Sequence, residues 1–332
     1  MSNMIYIAGP CAAESEEQVL ETARALAQMD GLIFRAGVWK PRTRPESFQG
    51  VGDEGLLWLS RVHNEIGLPV ATEVANSEQV NKALAAGIQY LWVGARTCAS
   101  PITVQAIANA INTSPQRTHL RGVFIKNPVN EDVALWEGNI RRFKHSDFGF
   151  PIYAVHRGCN HQPCWQMAYQ LRIDMPQVGL LLDPSHLSGD AERVSSLCRD
   201  AAELQYNGLM VEVHPHPEQA LSDAKQQITP AEFAAIIHAS QVNYSTPIEL
   251  RWLRKMIDEV DDRLWNAIAQ RMAVSERIGA FKKANHMEVL QPTRFSEIMT
   301  NRLAWAEKHG LSKEAVQTIL TALHEESIRK QQ

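Results

Sequence analysis

Between residues 1 and 240 the chain repeats one pattern eight times: a short apolar run, a polar tip, then an amphipathic helical stretch. The runs are Ile5 to Ala8, Ile33 to Ala36, Val70 to Glu73, Tyr90 to Val93, Gly122 to Ile125, Ile152 to Val155, Gly179 to Leu182 and Leu209 to Val213. Eight such βα units predict a closed parallel (β/α)8 TIM barrel, which carries its working groups at the C-terminal ends of its strands. Those ends present Cys11, Arg35 with Lys40, Glu73, Arg96, Lys126, His156 with Arg157, Asp183 with His186, and Glu212. A ring of cations interleaved with metal-ligating side chains is an unusual rim.

The rhythm stops near Gln241 to Ser245, and only helical patterning follows. Thr246, Pro247 and Glu249 read as an N-cap, a first-turn proline and a capping-box acid. They open a helix to about Ala284, roughly 57 Å at 1.5 Å per residue. A second helix starts near Pro292 and ends before Gly310, and a third starts at Ser312. A length of 332 residues with 45% hydrophobic content is enough for two cores. The expected domains are therefore 1–243, an α/β barrel, and 244–332, an all-α three-helix domain. A first helix this long cannot bury its apolar face inside a small monomeric domain, which points to an intertwined homodimer.

A net charge of −4 gives no general attraction for nucleic acid or an anionic membrane. With neither a secretory leader nor a long apolar run, the sequence reads as cytoplasmic. Five cysteines, an odd number without dense spacing, predict reduced thiols; Cys98 and Cys198 read as core residues. Cys159, His161 and Cys164 lack a fourth zinc ligand and read as an ordinary loop.

In an eight-stranded barrel the eighth strand lies between the seventh and the first, so Cys11, His186 and Glu212 come from neighbouring tips. Asp223 follows in the long loop after the eighth strand. One thiolate, one imidazole and two carboxylates suit a borderline divalent ion such as manganese, iron, cobalt or zinc, and argue against magnesium or calcium. His214 and His216, each followed by proline, read as loop-shaping. Arg35, Lys40, Arg42, Arg96, Lys126 and Arg157 ring the same face and would repel one another without anions between them. Pro41 stiffens the turn joining Lys40 to Arg42 and Thr43.

The segments Ile7-Ala8-Gly9-Pro10-Cys11, Lys40-Pro41-Arg42-Thr43, Gly94-Ala95-Arg96, Ile125-Lys126-Asn127-Pro128, His156-Arg157-Gly158, Asp183-Pro184-Ser185-His186 and Glu212-Val213-His214-Pro215 occur in that order. Together they resemble the type I beta class of 3-deoxy-D-arabino-heptulosonate 7-phosphate (DAHP) synthases. The resemblance implies a metal-dependent condensation of phosphoenolpyruvate with erythrose 4-phosphate, the first step of the shikimate pathway. It implies Cys11, His186, Glu212 and Asp223 as metal ligands. Arg35, Lys40, Arg96, Lys126 and Arg157 match phosphoenolpyruvate contacts, Lys40 and Lys126 being catalytic, while Pro41, Arg42 and Thr43 belong to the grip on the aldose phosphate. The related 3-deoxy-manno-octulosonate 8-phosphate synthases carry Lys-Ala-Asn-Arg-Ser in that turn, so Lys40 to Thr43 favours the four-carbon aldose. A more distant alternative is a metal-dependent aldolase on the same fold.

Along the long helix, Leu250, Leu253, Ile257, Val260, Leu264, Ile268, Val274 and Ile278 form an apolar stripe. Arg271 falls on it, Lys282 follows one turn after Ile278, and Arg254 flanks it. A buried cation needs an anion, so bound substrate is expected there. From about Ile248 to Gln332 the chain resembles the AroQ-type chorismate mutases. That resemblance assigns chorismate to Arg254, donated across the dimer, and to Arg271, Lys282, Arg294, Ser327 and Gln331. Lys282 and Gln331 would stabilise the ether oxygen during rearrangement to prephenate. Phe295 and Gln291 stand where the family commonly has Glu and Asp. The alternative is a non-catalytic dimerisation and regulatory tail. Because the first strand motif starts at Ile5, no N-terminal regulatory domain is expected, and feedback by prephenate or chorismate bound to the tail is.

Overall fold

The computed structural model describes residues 4–41, 46–144, 149–239 and 245–331, and the chain forms two compact units, Met1–Met256 and Ile257–Gln332. The first holds β1 (Ile5–Gly9), β2 (Ile33–Arg35), β3 (Val70–Val74), β4 (Tyr90–Val93), β5 (Gly122–Lys126), β6 (Ile152–His156), β7 (Gly179–Leu182) and β8 (Gly208–Glu212). All pair in parallel in chain order, and β8 pairs back onto β1 from Ile5↔Gly208 to Gly9↔Glu212, closing the barrel. Around it run α1 (Glu16–Leu26), α2 (Asp53–Arg61), α3 (Ser77–Ala85), α4 (Ala95–Cys98), α5 (Pro101–Thr113), α6 (Val133–Lys144), α7 (Trp165–Asp174), α8 (Pro184–Ser188), α9 (Ala191–Glu203) and α10 (Pro230–Ala239). Side chains start several of them: Ser15, Asn76 and Ser100 accept from the third residue onward in α1, α3 and α5.

The barrel is filled from within by Ile7, Ile33, Ala71, Trp92, Phe124, Val155, Leu181 and Met210, one from each strand. Phe124 stacks between Tyr90 and Tyr153 at 5.6 and 5.3 Å. Strand side chains return to the same face every second residue. The next inward layer is therefore Gly9, Arg35, Glu73, Gly94, Lys126, Arg157, Asp183 and Glu212, a charged ring standing on an apolar floor. Gly9 is required where it sits: its φ is +148°, and a Cβ would lie 2.1 Å from the Arg35 carbonyl oxygen. Gly9→Ala is expected to cost about 3 kcal/mol through strain and overpacking. Thermal unfolding checks it, and an unchanged melting temperature would contradict it.

His156, between the inward Val155 and Arg157, points outward into the core. It is fully buried, with Nδ1 2.9 Å from the Tyr206 hydroxyl and its ring 5.6 Å from Trp165. Burial holds its pKa down to about 3, whereas an unfolded histidine titrates near ~6.5. As pH falls through that window the unfolded chain takes up a proton that the folded chain refuses. Stability therefore drops, by several kcal/mol over the full window. Denaturant melts from pH 7 to pH 4 should show His156→Gln losing less stability than the parent; parallel curves would contradict this.

Beyond the barrel come α11 (Ile248–Ala284), α12 (Pro292–Lys308) and α13 (Lys313–Gln331). The first starts at Ile248, later than Thr246 implies: the Pro247 carbonyl accepts from Arg251 N at 3.2 Å, placing Pro247 at the cap. Its opening turns belong to the barrel unit. Trp252 is fully buried against Tyr206, Tyr169 and Trp165 (5.5, 5.8 and 6.2 Å), and Lys255 Nζ lies 2.6 Å from Asp200. That packing carries the first compact unit beyond 243; of the linker expected at Gln241 to Ser245, residues 241–244 lie outside the described residues. Further along α11, Ile257, Val260, Leu264, Trp265, Val274, Ile278 and Phe281 are exposed. Among the described residues no helix is long and apolar enough to cross a membrane.

Candidate active sites

Above the floor lies a cavity of about 590 Å³ whose lining includes Arg35, Lys40, Arg96, Lys126, Arg157 and His186. The ligating atoms of Cys11, Glu212 and Asp223 lie within 4.8 Å of one another. His186 stands beside this trio, not inside it. Its Nε2 is 3.6 Å from Glu212 Oε1, and its Nδ1 is held 2.9 Å from Asp183 Oδ2, which turns the ring toward Glu212. Asp183 in turn takes Lys126 Nζ at 2.6 Å. The donor set, one thiol, two carboxylates and an adjacent imidazole braced by a carboxylate, suits a borderline divalent metal.

Electrostatics here are set by burial and by close opposite charge. Burial pushes the Cys11 thiol up, Glu212 adds to that, and Lys40 opposes it. The thiol accordingly serves as a donor to Asp223 Oδ2 at 3.0 Å. Burial also works against ionised Asp183, yet His186 and Lys126 hold its carboxyl well below the usual range. Glu212 is likewise held down by His186 and Arg35 against its burial. Arg35 is 1% exposed, with Nη2 3.0 Å from Glu212 and its guanidinium 4.8 Å over the Trp92 ring. Its Nε and Nη1 find no hydrogen-bond partner among the described residues. A buried fork left open in this way is built for an anion.

Lys40 lines the cavity while its ammonium donates to the Cys11 carbonyl and approaches Sγ at 3.1 Å. Arg96 is exposed at the rim and donates to the Pro41 carbonyl at 3.3 Å. Arg42 and Thr43 lie outside the described residues. Cys159, His161 and Cys164 do not gather as a ligand group among the described residues. His214 faces Glu14 (3.7 Å) and is not part of the trio. Sequence reasoning assigned no role to several supporting amides. Gln226 donates to Glu212 Oε2 at 2.7 Å, and Gln227 Oε1 accepts from Cys11 N at 3.0 Å. Asn127 Oδ1 accepts from Arg157 N at 2.7 Å. The sequence signal for Asn127 was its place directly after Lys126; nothing local marked the glutamines.

In the helical unit α13 lies along α11. Arg271 Nη1 donates to the Leu323 carbonyl at 2.9 Å and to Ser327 Oγ, and Lys282 Nζ lies 3.0 Å from Gln331 Oε1. Gly279 permits this approach, since a Cβ there would meet Gln331 Cα at 2.6 Å. Lys282 and Ser327 are buried; Arg271 is only half-buried, and that burial lowers its pKa. Four of the residues expected to hold chorismate thus form two pairs between α11 and α13, Arg271 with Ser327 and Lys282 with Gln331. Arg294 is exposed and pairs with Glu297 at 3.1 Å, Arg254 is exposed on α11, Gln291 caps α12, and Phe295 stacks on His324 at 3.8 Å.

The family model for the DAHP synthetase I family matches residues 2–245. The chain belongs to the DAHP synthetase I family. This family member is 32% identical over 235 residues to the phospho-2-dehydro-3-deoxyheptonate aldolase of Thermotoga maritima, covering 67% of this chain and 64% of that one. It is 31% identical over 253 residues to a 2-dehydro-3-deoxyphosphooctonate aldolase of Magnetococcus marinus, covering 70% and 85%. The crystal structure of the Thermotoga maritima DAHP synthase superposes with a TM-score of 0.63 at 27% identity, covering 71% of this chain and 68% of that chain. The chain thus spans just under two thirds of the length of its Thermotoga relative. Residues 253–332 match the model for chorismate mutase type II, so a second enzyme-family domain follows the barrel.

Proposed function

We propose that residues 1–243 condense phosphoenolpyruvate with erythrose 4-phosphate to DAHP and phosphate, and that residues 244–332 rearrange chorismate to prephenate. The observation that carries the first part is the open, buried fork of Arg35 beside the Cys11, Glu212 and Asp223 trio. Arg35, Lys126 and Arg157, with Arg96 at the rim, bind the phosphate and carboxylate of phosphoenolpyruvate and hold carbon 3 of the enol toward the aldehyde. Lys40 completes this wall, and Pro41, Arg42 and Thr43 grip the aldose phosphate. Cys11, Glu212, Asp223 and His186 would hold a divalent ion, manganese first, that acts as Lewis acid on the aldehyde. The ring's cations neutralise the phosphate as it leaves.

In the tail, Arg271, Arg294 and a partner protomer's copy of Arg254 hold the two carboxylates, and Ser327 orients Arg271. Lys282 and Gln331 bond the ether oxygen as charge grows on it, a rearrangement that needs positioning but no acid or base. The exposed apolar stripe of α11 supports assembly as a homodimer. Charge, composition and family support a cytoplasmic enzyme, with prephenate or chorismate on the tail as feedback effector.

The test is phosphate release from phosphoenolpyruvate with erythrose 4-phosphate and, separately, with arabinose 5-phosphate. Turnover with the tetrose alone is expected. Preference for the pentose would instead favour the octulosonate synthase reading that the Magnetococcus relative raises.

A further inference from the structure

One wall of the barrel cavity is built from unusual backbone. Cys159 N donates to the Gln162 carbonyl and Gln162 N to the Cys159 carbonyl, both at 2.9 Å. The two residues between them, Asn160 and His161, have φ of +50° and +59°. A two-residue loop with both central positions at positive φ is the geometry of a type I′ turn, in which asparagine suits the first position and glycine is usual at the second. The turn is also anchored. Asn127 donates from Nδ2 to the Gly158 carbonyl at 3.0 Å while accepting from Arg157 N, and the His161 ring rests on Gly189, whose Cβ would lie 2.6 Å from Nδ1.

A type I′ turn asks for no more than asparagine followed by glycine, so histidine in the second position, where glycine is usual, points to a use for that side chain. Both Asn160 and His161 are exposed and line the cavity. The rest of its polar lining is ionic or engaged: His186 on Asp183 and Gln226 on Glu212. Cations serve phosphate and carboxylate, whereas the hydroxyls of an aldose need neutral groups that both donate and accept, which an amide and an imidazole provide.

We infer that the 159–162 turn reads the aldose, Asn160 and His161 hydrogen-bonding the chain hydroxyls of the sugar phosphate. This rests on the condensation proposed above. The test is the full chain carrying Asn160→Gly and His161→Gly together, which removes both side chains and leaves residues that favour positive φ. With manganese supplied, KM for erythrose 4-phosphate should rise roughly tenfold while KM for phosphoenolpyruvate stays within twofold. The parent's preference for erythrose 4-phosphate over its 2-deoxy analogue should shrink, and the melting temperature should not fall. An unchanged tetrose KM with unchanged discrimination would overturn the inference. So would an equal rise in both KM values, which would mark a general disturbance of the pocket. A parent protein that consumes no phosphoenolpyruvate with any aldose phosphate would overturn the condensation and, with it, this role.

Discussion

Cys11→Ala is expected to lower phosphoenolpyruvate condensation by at least about a thousandfold, because Lewis-acid polarisation of the aldehyde is worth several kcal/mol. The thiol is fully buried, and its place in the trio beside Glu212 and Asp223 leaves it no packing role that a smaller residue could not fill at modest cost. The fold should survive: Cys11 N remains tied to Gln227 and the carbonyl still accepts from Lys40. The measurements are metal content after gel filtration and phosphate release with both substrates. A variant that keeps its metal and works within tenfold of the parent would remove the thiol from the site.

The second large effect lies in the tail. Lys282→Ala is expected to slow chorismate rearrangement by about a hundred- to a thousandfold, the usual cost of losing one donor to a developing oxyanion. Lys282 is 7% exposed and faces Gln331 across the interface of α11 and α13, so its charge is already stripped of most water before substrate arrives. Charge placed where water is scarce acts more strongly. The rate of loss of chorismate absorbance by the full chain checks this. Activity within threefold of the parent would favour the reading of the tail as a dimerisation and regulatory module.

The barrel was legible because its signal is periodic. Alternation in Ile33-Phe34-Arg35 or Met210-Val211-Glu212 states which side chains share a face, and closure then places the ends of all eight strands, six of them charged, on one ring. The sequence boundaries of the strands shift by a residue or two, as when the eighth starts at Gly208 instead of Leu209. What periodicity cannot encode is the meeting of distant loops. Gln226 on Glu212, Asn127 beneath Arg157, and Lys40 turned onto Cys11 depend on loop paths with no pattern of their own. The same holds for Trp252, which reads as one more helical residue until Trp165, Tyr169 and Tyr206 close around it. The trio was readable as a set of ligand types, but the offset of His186 toward Asp183 was not, since Asp183 was read as a strand-end neighbour of His186 and not as its brace.

A crystal structure of the chain soaked with manganese and phosphoenolpyruvate would test the central claim most directly. The account predicts one anomalous peak bonded to Cys11, Glu212, Asp223 and His186, with the phosphoenolpyruvate anions against Arg35, Lys126 and Arg157. Manganese bound elsewhere, or phosphoenolpyruvate settling away from the Arg35 fork, would contradict it.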